Sequence, residues 1–196
     1  MENIIVGLSS WIIADGNYEH FRRGQRASFA LAFYPTNASF EIPRDWLTVD
    51  PPGVDRVSMR HVEGSQYLIT ARVTHILDYD GWWVIDAGVP MYRTGLLPEG
   101  VEQNSWVSGK IYLGIDPFDY FERLSRYYVA PALIYDWDVT KIELETSPVI
   151  VEGRMHTRDR SRSAWQEVDS TQAHCEGALV DEFVLHCARV DVLQRR

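Results

Sequence analysis

The sequence predicts a mainly β protein of one or two barrel-like antiparallel units, with a single short capped helix at about residues 117–128. Three observations lead to this fold class. Apolar residues recur with period two, as in Phe29, Leu31 and Phe33 or Ile69, Ala71 and Val73, which is the spacing that turns one face of a strand to the core. Aromatic residues reach 12% of the chain, and large rings favour strands and bury much apolar area. Residues 11–16 (Trp-Ile-Ile-Ala-Asp-Gly) are also echoed by residues 83–88 (Trp-Val-Ile-Asp-Ala-Gly). Each echo is followed by a glycine-led apolar run, Gly24 into Phe29–Phe33 and Gly109 into Ile111–Ile115, which suggests two units on one plan.

Element by element, the clearest feature is a hairpin of residues 68–78 with 82–87. Asp80-Gly81 precedes Trp82, and glycine accepts the positive φ that a tight turn needs. Further strands are expected near 57–62, 107–115, 141–145, 149–155, 165–174 and 183–193. Residues 38–52 hold three prolines and end in Pro51-Pro52-Gly53, a composition typical of a linker. The expected organisation is therefore an N-terminal β unit over 1–50 and a main barrel-like unit over 55–196. The helix is placed by Asp116 as cap, Pro117 at the first helical position and an apolar face of Phe118, Phe121 and Leu124. Its stop is Val129-Ala130-Pro131, because the residue before proline avoids helical backbone. A capped helix following a strand, in a chain otherwise made of strands, resembles the element order of OB-type barrels, and that resemblance implies an exposed strand face able to take a ligand.

The bulk numbers narrow the function classes. With 196 residues and 45% hydrophobic content, the chain can bury a substantial core. The net charge of −9 repels phosphate backbones and anionic lipid, and favours a basic protein partner. No run approaches the roughly 20 apolar residues of a membrane-spanning helix, and the start, Met1-Glu2-Asn3, lacks the positive region of a secretory signal. The expectation is a cytoplasmic protein with no membrane partner.

Three groups of residues are candidates for chemistry. His174-Cys175 and His186-Cys187 are two His-Cys pairs twelve residues apart, and thiolate with imidazole is a zinc ligand set. Adjacent strand residues point to opposite faces, however, so each face receives one Cys and one His, too few unless an acid such as Glu176 or Asp181 joins, and buried packing is the plain alternative. Trp82, flanked by Tyr79 and Tyr92, is a candidate ligand or partner contact, since alternation sends Trp82 and Trp83 to opposite faces and aromatics on a barrel face stack on bases. The plain alternative, which the acidic net charge favours, is that Trp83 is core and Trp82 caps a sheet edge or a second domain. Arg154, Arg158, Arg160 and Arg162 form the one basic cluster, suited to phosphate or carboxylate, with a solvated loop as the alternative. Glu143 and Glu145 share a strand face. No Gly-rich phosphate loop and no nucleophile elbow is present.

The reading that follows is a non-catalytic binding or interaction protein, an adaptor or immunity-type partner for a basic protein, with no cofactor expected. One alternative is an OB-like single-stranded nucleic-acid binder using Trp82 and the arginine cluster. The other is a metal-dependent enzyme using the C-terminal His and Cys residues, with zinc as the metal.

Overall fold

The structure, a computed structural model, describes residues 3–36, 46–51, 56–77, 81–95, 97–126, 130–152, 155–172 and 182–190. The protein is mainly β, with a closed five-strand mixed barrel, extra strands and a few short helical turns. It divides into two compact units, Met1–Ser28 with Asp136–Asp191, and Phe29–Tyr135 with Val192–Arg196. The units are interleaved rather than consecutive, so the boundary expected between residues 50 and 55 falls inside the second unit.

In the first unit, β1 (Asn3–Ser9) is followed by helix α1 (Ser10–Ala14) and β2 (Arg26–Phe29). The strands of the second unit are β3 (Leu31–Pro35), β4 (Leu47–Val49), β5 (Ser58–Glu63), β6 (Gln66–Leu77), β7 (Trp82–Asp86), β8 (Pro90–Thr94) and β9 (Trp106–Ile115). Helix α2 (Asp119–Glu122) and a 3-10 turn (Leu124–Arg126) follow. The chain then adds β10 (Tyr135–Glu145), β11 (Val149–Glu152), β12 (Met155–Arg158), a 3-10 turn (Arg160–Arg162), β13 (Trp165–Val168) and β14 (Glu182–Arg189).

The barrel belongs to the second unit. β6 pairs antiparallel with β7, β7 with β8, β9 with β6 and β3 with β9. A single parallel contact, Ala32 opposite Tyr92, joins β3 to β8 and closes the ring, which makes the barrel mixed rather than wholly antiparallel. β5 adds to β6 and β4 to β9. Strict alternation along β6 sends Tyr67, Ile69, Ala71 and Val73 inward, opposite Val107 and Ile111 of β9. Phe33, Trp83 and Ile85 are also fully buried, with Phe33 edge-on to Trp83 at 5.0 Å between ring centroids.

The expected hairpin is β6–β7, with Leu77 opposite Trp82; residues 78–80 lie outside the described set. Gly81 has φ +64°, and a Cβ there would meet the Gly95 carbonyl oxygen at 2.8 Å, the chain whose N–H donates to the Gly81 carbonyl. Gly81→Ala is therefore expected to cost about 2 kcal/mol or more, left-handed strain plus overpacking, read as a lower urea midpoint. An unchanged midpoint would show that the turn has another conformation.

The first unit is an antiparallel sheet. β14 lies between β1 and β10, and β10 also pairs with β13 and β2. β11 and β12 form a separate hairpin, so the run expected at 149–155 is two strands rather than one. The echoed sequences take different structures: residues 10–14 form α1, while residues 82–86 form β7. Gly109 sits inside β9 rather than at its start. Similar local sequences here follow their surroundings, as short apolar segments commonly do. The helix expected over 117–128 is shorter at its start, because Phe118 adopts a left-handed φ of 77° and the α-helical turn begins at Asp119; residues 127–129 lie outside the described set.

Candidate functional site

Two faces of the second unit, one open and one covered, collect its functional groups. The open face is the outer side of β5–β6–β9, continued by β3. Period two places Gln66, Leu68, Thr70 and Arg72 outward on β6, and the register turns these into rows across the sheet. One row is Arg60, Leu68 and Lys110; another is Ser58, Thr70 and Ser108; a third is Gln66, Tyr112 and Tyr34. Polar groups within the rows bond to one another, Gln66 Nε2 donating to the Tyr112 hydroxyl at 2.9 Å and Thr70 Oγ1 lying 3.0 Å from Ser108 Oγ. The Arg72 guanidinium donates to Asn104 Oδ1 at 2.8 Å, and Lys110 Nζ is 4.0 Å from Glu63. Leu68 and Tyr34 are each 38% exposed, and Val62, at the register shift in β5, is 39% exposed. β5 pairs only with β6 among the described residues, so its other edge offers backbone donors and acceptors.

The covered face is the outer side of β3, β8 and β7. Ala32, Val84, Trp82 and Tyr92 face outward there, but Tyr120, Leu124 and Leu133 pack over them and all seven are buried. Trp82 stacks on Tyr92 with centroids 5.2 Å apart, and the Arg123 guanidinium lies 5.3 Å from the Trp82 ring. Alternation does send Trp82 and Trp83 to opposite sides, yet both are buried, because the segment after β9 covers the outer one. Trp82 and its neighbour Tyr92, candidates for a ligand or partner contact, are thus packed beneath the segment and present no open ring face.

Asp116 lies at the edge of this layer and is fully buried. Its Oδ1 accepts from the Tyr92 hydroxyl and from the Tyr120 backbone N–H at 3.2 Å, while Oδ2 has no hydrogen-bond partner. Burial pushes this carboxyl up to about 6, against the hydrogen bonds, and the neighbouring Asp119 charge adds to the rise. Burial and the Asp116 charge together hold the Tyr92 phenol far above its usual range. Arg93, next along β8, is also buried, with its guanidinium 5.2 Å from the Trp46 ring and Nη1 3.5 Å from the Phe33 carbonyl oxygen. Burial lowers it from the ordinary arginine value.

In the first unit, alternation separates His186 from Cys187. Cys187 is a free thiol in the core, pushed up to about 12 by burial, so at neutral pH it carries its proton and is a poor metal ligand or nucleophile. His186 Nε2 lies on the other face, 2.7 Å from Glu143 Oε2, and Lys141 Nζ is 2.8 Å from Glu143 Oε1. Desolvation opposes ionisation of Glu143, but the hydrogen bonds from Lys141 and His186 outweigh it and hold the carboxyl below its usual value. His186 and Cys187 thus diverge as neighbours on a strand do, and the two do not meet at one metal. His174 and Cys175 lie outside the described residues. Among the described residues no group of three or more His, Cys, Asp or Glu side chains is placed to hold a metal ion.

Of the arginine cluster, Arg158, Arg160 and Arg162 are described, and they follow one another from the end of β12 through the next turn. Arg158 ends β12 and its Nη1 donates to the Ser147 carbonyl at 2.9 Å. Arg160 and Arg162 bound the 3-10 turn that Asp159 caps by accepting from the Ser161 N–H at 3.1 Å. Tyr79 and Arg154 lie outside the described residues. Sequence reasoning missed the Arg60–Leu68–Lys110 row, since it depends on register between strands. It read Asp116 only as a helix cap. Comparison with protein-family models, with curated proteins and with solved structures finds no match to this chain.

Proposed function

We propose that the protein is a non-catalytic interaction protein that docks a basic protein partner on the open β5–β6–β9 face of its barrel. The observation that carries this reading is the exposed edge of β5 beside Leu68, which faces outward at 38% exposure, and Val62, 39% exposed at the irregularity between His61 and Glu63. An exposed edge strand next to apolar side chains is a template for adding a strand from another chain. The net charge of −9 speeds the encounter with a partner that is basic overall, while the added strand itself meets Arg60, Lys110 and Arg72 on the face and is matched there by acidic or neutral side chains.

The test is copurification of the tagged protein from its native host, followed by kinetics with the captured partner. Val62→Lys and Leu68→Glu are each expected to weaken binding about tenfold or more, and added salt to slow association. Binding untouched by both substitutions would move the interface elsewhere. A second reading rests on Tyr34 and Tyr112 adjoining Lys110 and Arg60 in neighbouring rows, an aromatic and basic arrangement suited to single-stranded nucleic acid. Oligonucleotide binding that weakens steeply with salt and is lost in Tyr112→Ala would favour it over a protein partner.

A further inference from the structure

Residues 116–126 form a strap over the covered face, and the way they are fastened is unusual. Tyr120 ties the strap to the segment that follows, its hydroxyl donating to the Pro131 carbonyl at 2.8 Å and accepting from the Leu133 N–H at 3.1 Å. Toward the barrel strands the side-chain hydrogen bond is that between Asp116 and Tyr92 of β8. The same carboxylate oxygen accepts the Tyr120 N–H, so one atom holds both the strap's first turn and the barrel. The other oxygen, Oδ2, is buried without a partner. The turn between them needs left-handed backbone at Phe118, φ 77°, a conformation that costs a bulky residue energy and persists only where the surroundings enforce it.

The groups facing Asp116 do not neutralise it. They are the phenols of Tyr92 on β8, Tyr34 on β3 and Tyr120 on α2, with the Asp119 carboxylate. The cations nearby are committed elsewhere, Arg123 to Asp119 at 3.9 Å and to the Trp82 ring, Arg93 to the Trp46 ring and the Phe33 carbonyl. Among the described residues no arginine, lysine or histidine forms an ion pair with Asp116.

We propose that Asp116 makes the strap a proton-controlled latch, closed when the carboxyl is neutral and loosened when it gives its proton to solvent, which uncovers the Trp82–Tyr92 face. The neutral form suits the closed state because the proton can sit on Oδ2, leaving Oδ1 to keep both of its bonds. The ionised form places a full charge, with no cation, in a site closed to water and beside a second carboxylate. Burial raises Asp116 from 3.8 to about 6, so the change falls within the range a cell traverses. Opening restores solvent to the carboxylate and exposes Ala32, Trp82, Val84 and Tyr92, four outward residues of one sheet face.

The test is amide hydrogen exchange of the full chain at several pH values, corrected for the intrinsic exchange rate. Opening of the strap, read at the Tyr120 amide, is expected to be about tenfold more frequent at pH 7.5 than at pH 5, as linkage requires for a group moved this far. The dependence should vanish in Asp116→Asn, and in the natural protein the Tyr120 amide should open far more often than those of β6 and β9, which exchange only when the whole unit unfolds. Equal protection at both pH values, or the same dependence in the variant, overturns the latch. If the variant fails to fold, carboxyl-carbon NMR of the unaltered protein decides: a midpoint for Asp116 near 6 supports the latch, and one near 4 overturns it.

Discussion

Replacing Trp83 with alanine is expected to remove about 3–5 kcal/mol of stability from the barrel, the usual cost of truncating a large buried aromatic. The ring is fully buried, edge-on to Phe33 at 5.0 Å and to Trp46 at 6.2 Å. Losing it removes apolar contact area and leaves a cavity that a closed ring of hydrogen-bonded strands has little freedom to collapse. Against the roughly 5–15 kcal/mol of an ordinary domain, that is a large share of what holds the unit together. The measurement is a urea titration followed by a probe within the second unit, and the expected change is in the midpoint with the slope preserved. A loss below about 1 kcal/mol would place Trp83 outside a tightly packed core.

The second large effect is a dependence of stability on pH that belongs to Asp116. Its folded-state value, about 6, lies above the ordinary 3.8, so the folded protein holds this proton more tightly than the unfolded chain. The stabilisation is complete below about pH 4 and is lost as pH rises through 6. A displacement of that size corresponds to about 3 kcal/mol between the two limits. Stability measured from pH 4 to 8, expressed as the difference between the natural protein and Asp116→Asn, should fall by an amount of that order across the window. A difference that rises with pH would mean that the hydrogen bonds from Tyr92 and Tyr120 outweigh burial.

Much of the fold was legible because period two is a local property. β6 and β7 follow directly from the alternation of residues 66–77 and the glycine at 81, and the divergence of His186 from Cys187 follows from the same rule. What escaped depends on chain segments meeting from afar. Residues 11–16 and 83–88 look alike, yet one makes a helical turn and the other a barrel strand, because partner strands decide between two conformations of similar intrinsic cost. The burial of Trp82 could not be read from its neighbours, since its cover comes from Tyr120, Leu124 and Leu133. Asp116 illustrates the difficulty for the site: its sequence context is that of a cap, and only the arrival of Tyr92 from β8 gives it a second role. The Arg60–Leu68–Lys110 row has no sequence signature at all, for three strands must align before it exists.

The nesting of the two units has a consequence for biosynthesis. Every strand of the barrel lies between residues 29 and 135, whereas β1 must wait for β14, with Ile4 opposite Cys187. A ribosome adding about 5–20 residues per second delivers β14 roughly ten to forty seconds after β1. The barrel can therefore close on the nascent chain while the edge of β1 that takes β14, on a strand of alternating Ile4, Val6 and Leu8, is still unpaired. That interval is when the chain is most exposed to chaperones and to mispairing, and it ends only as the last strand emerges.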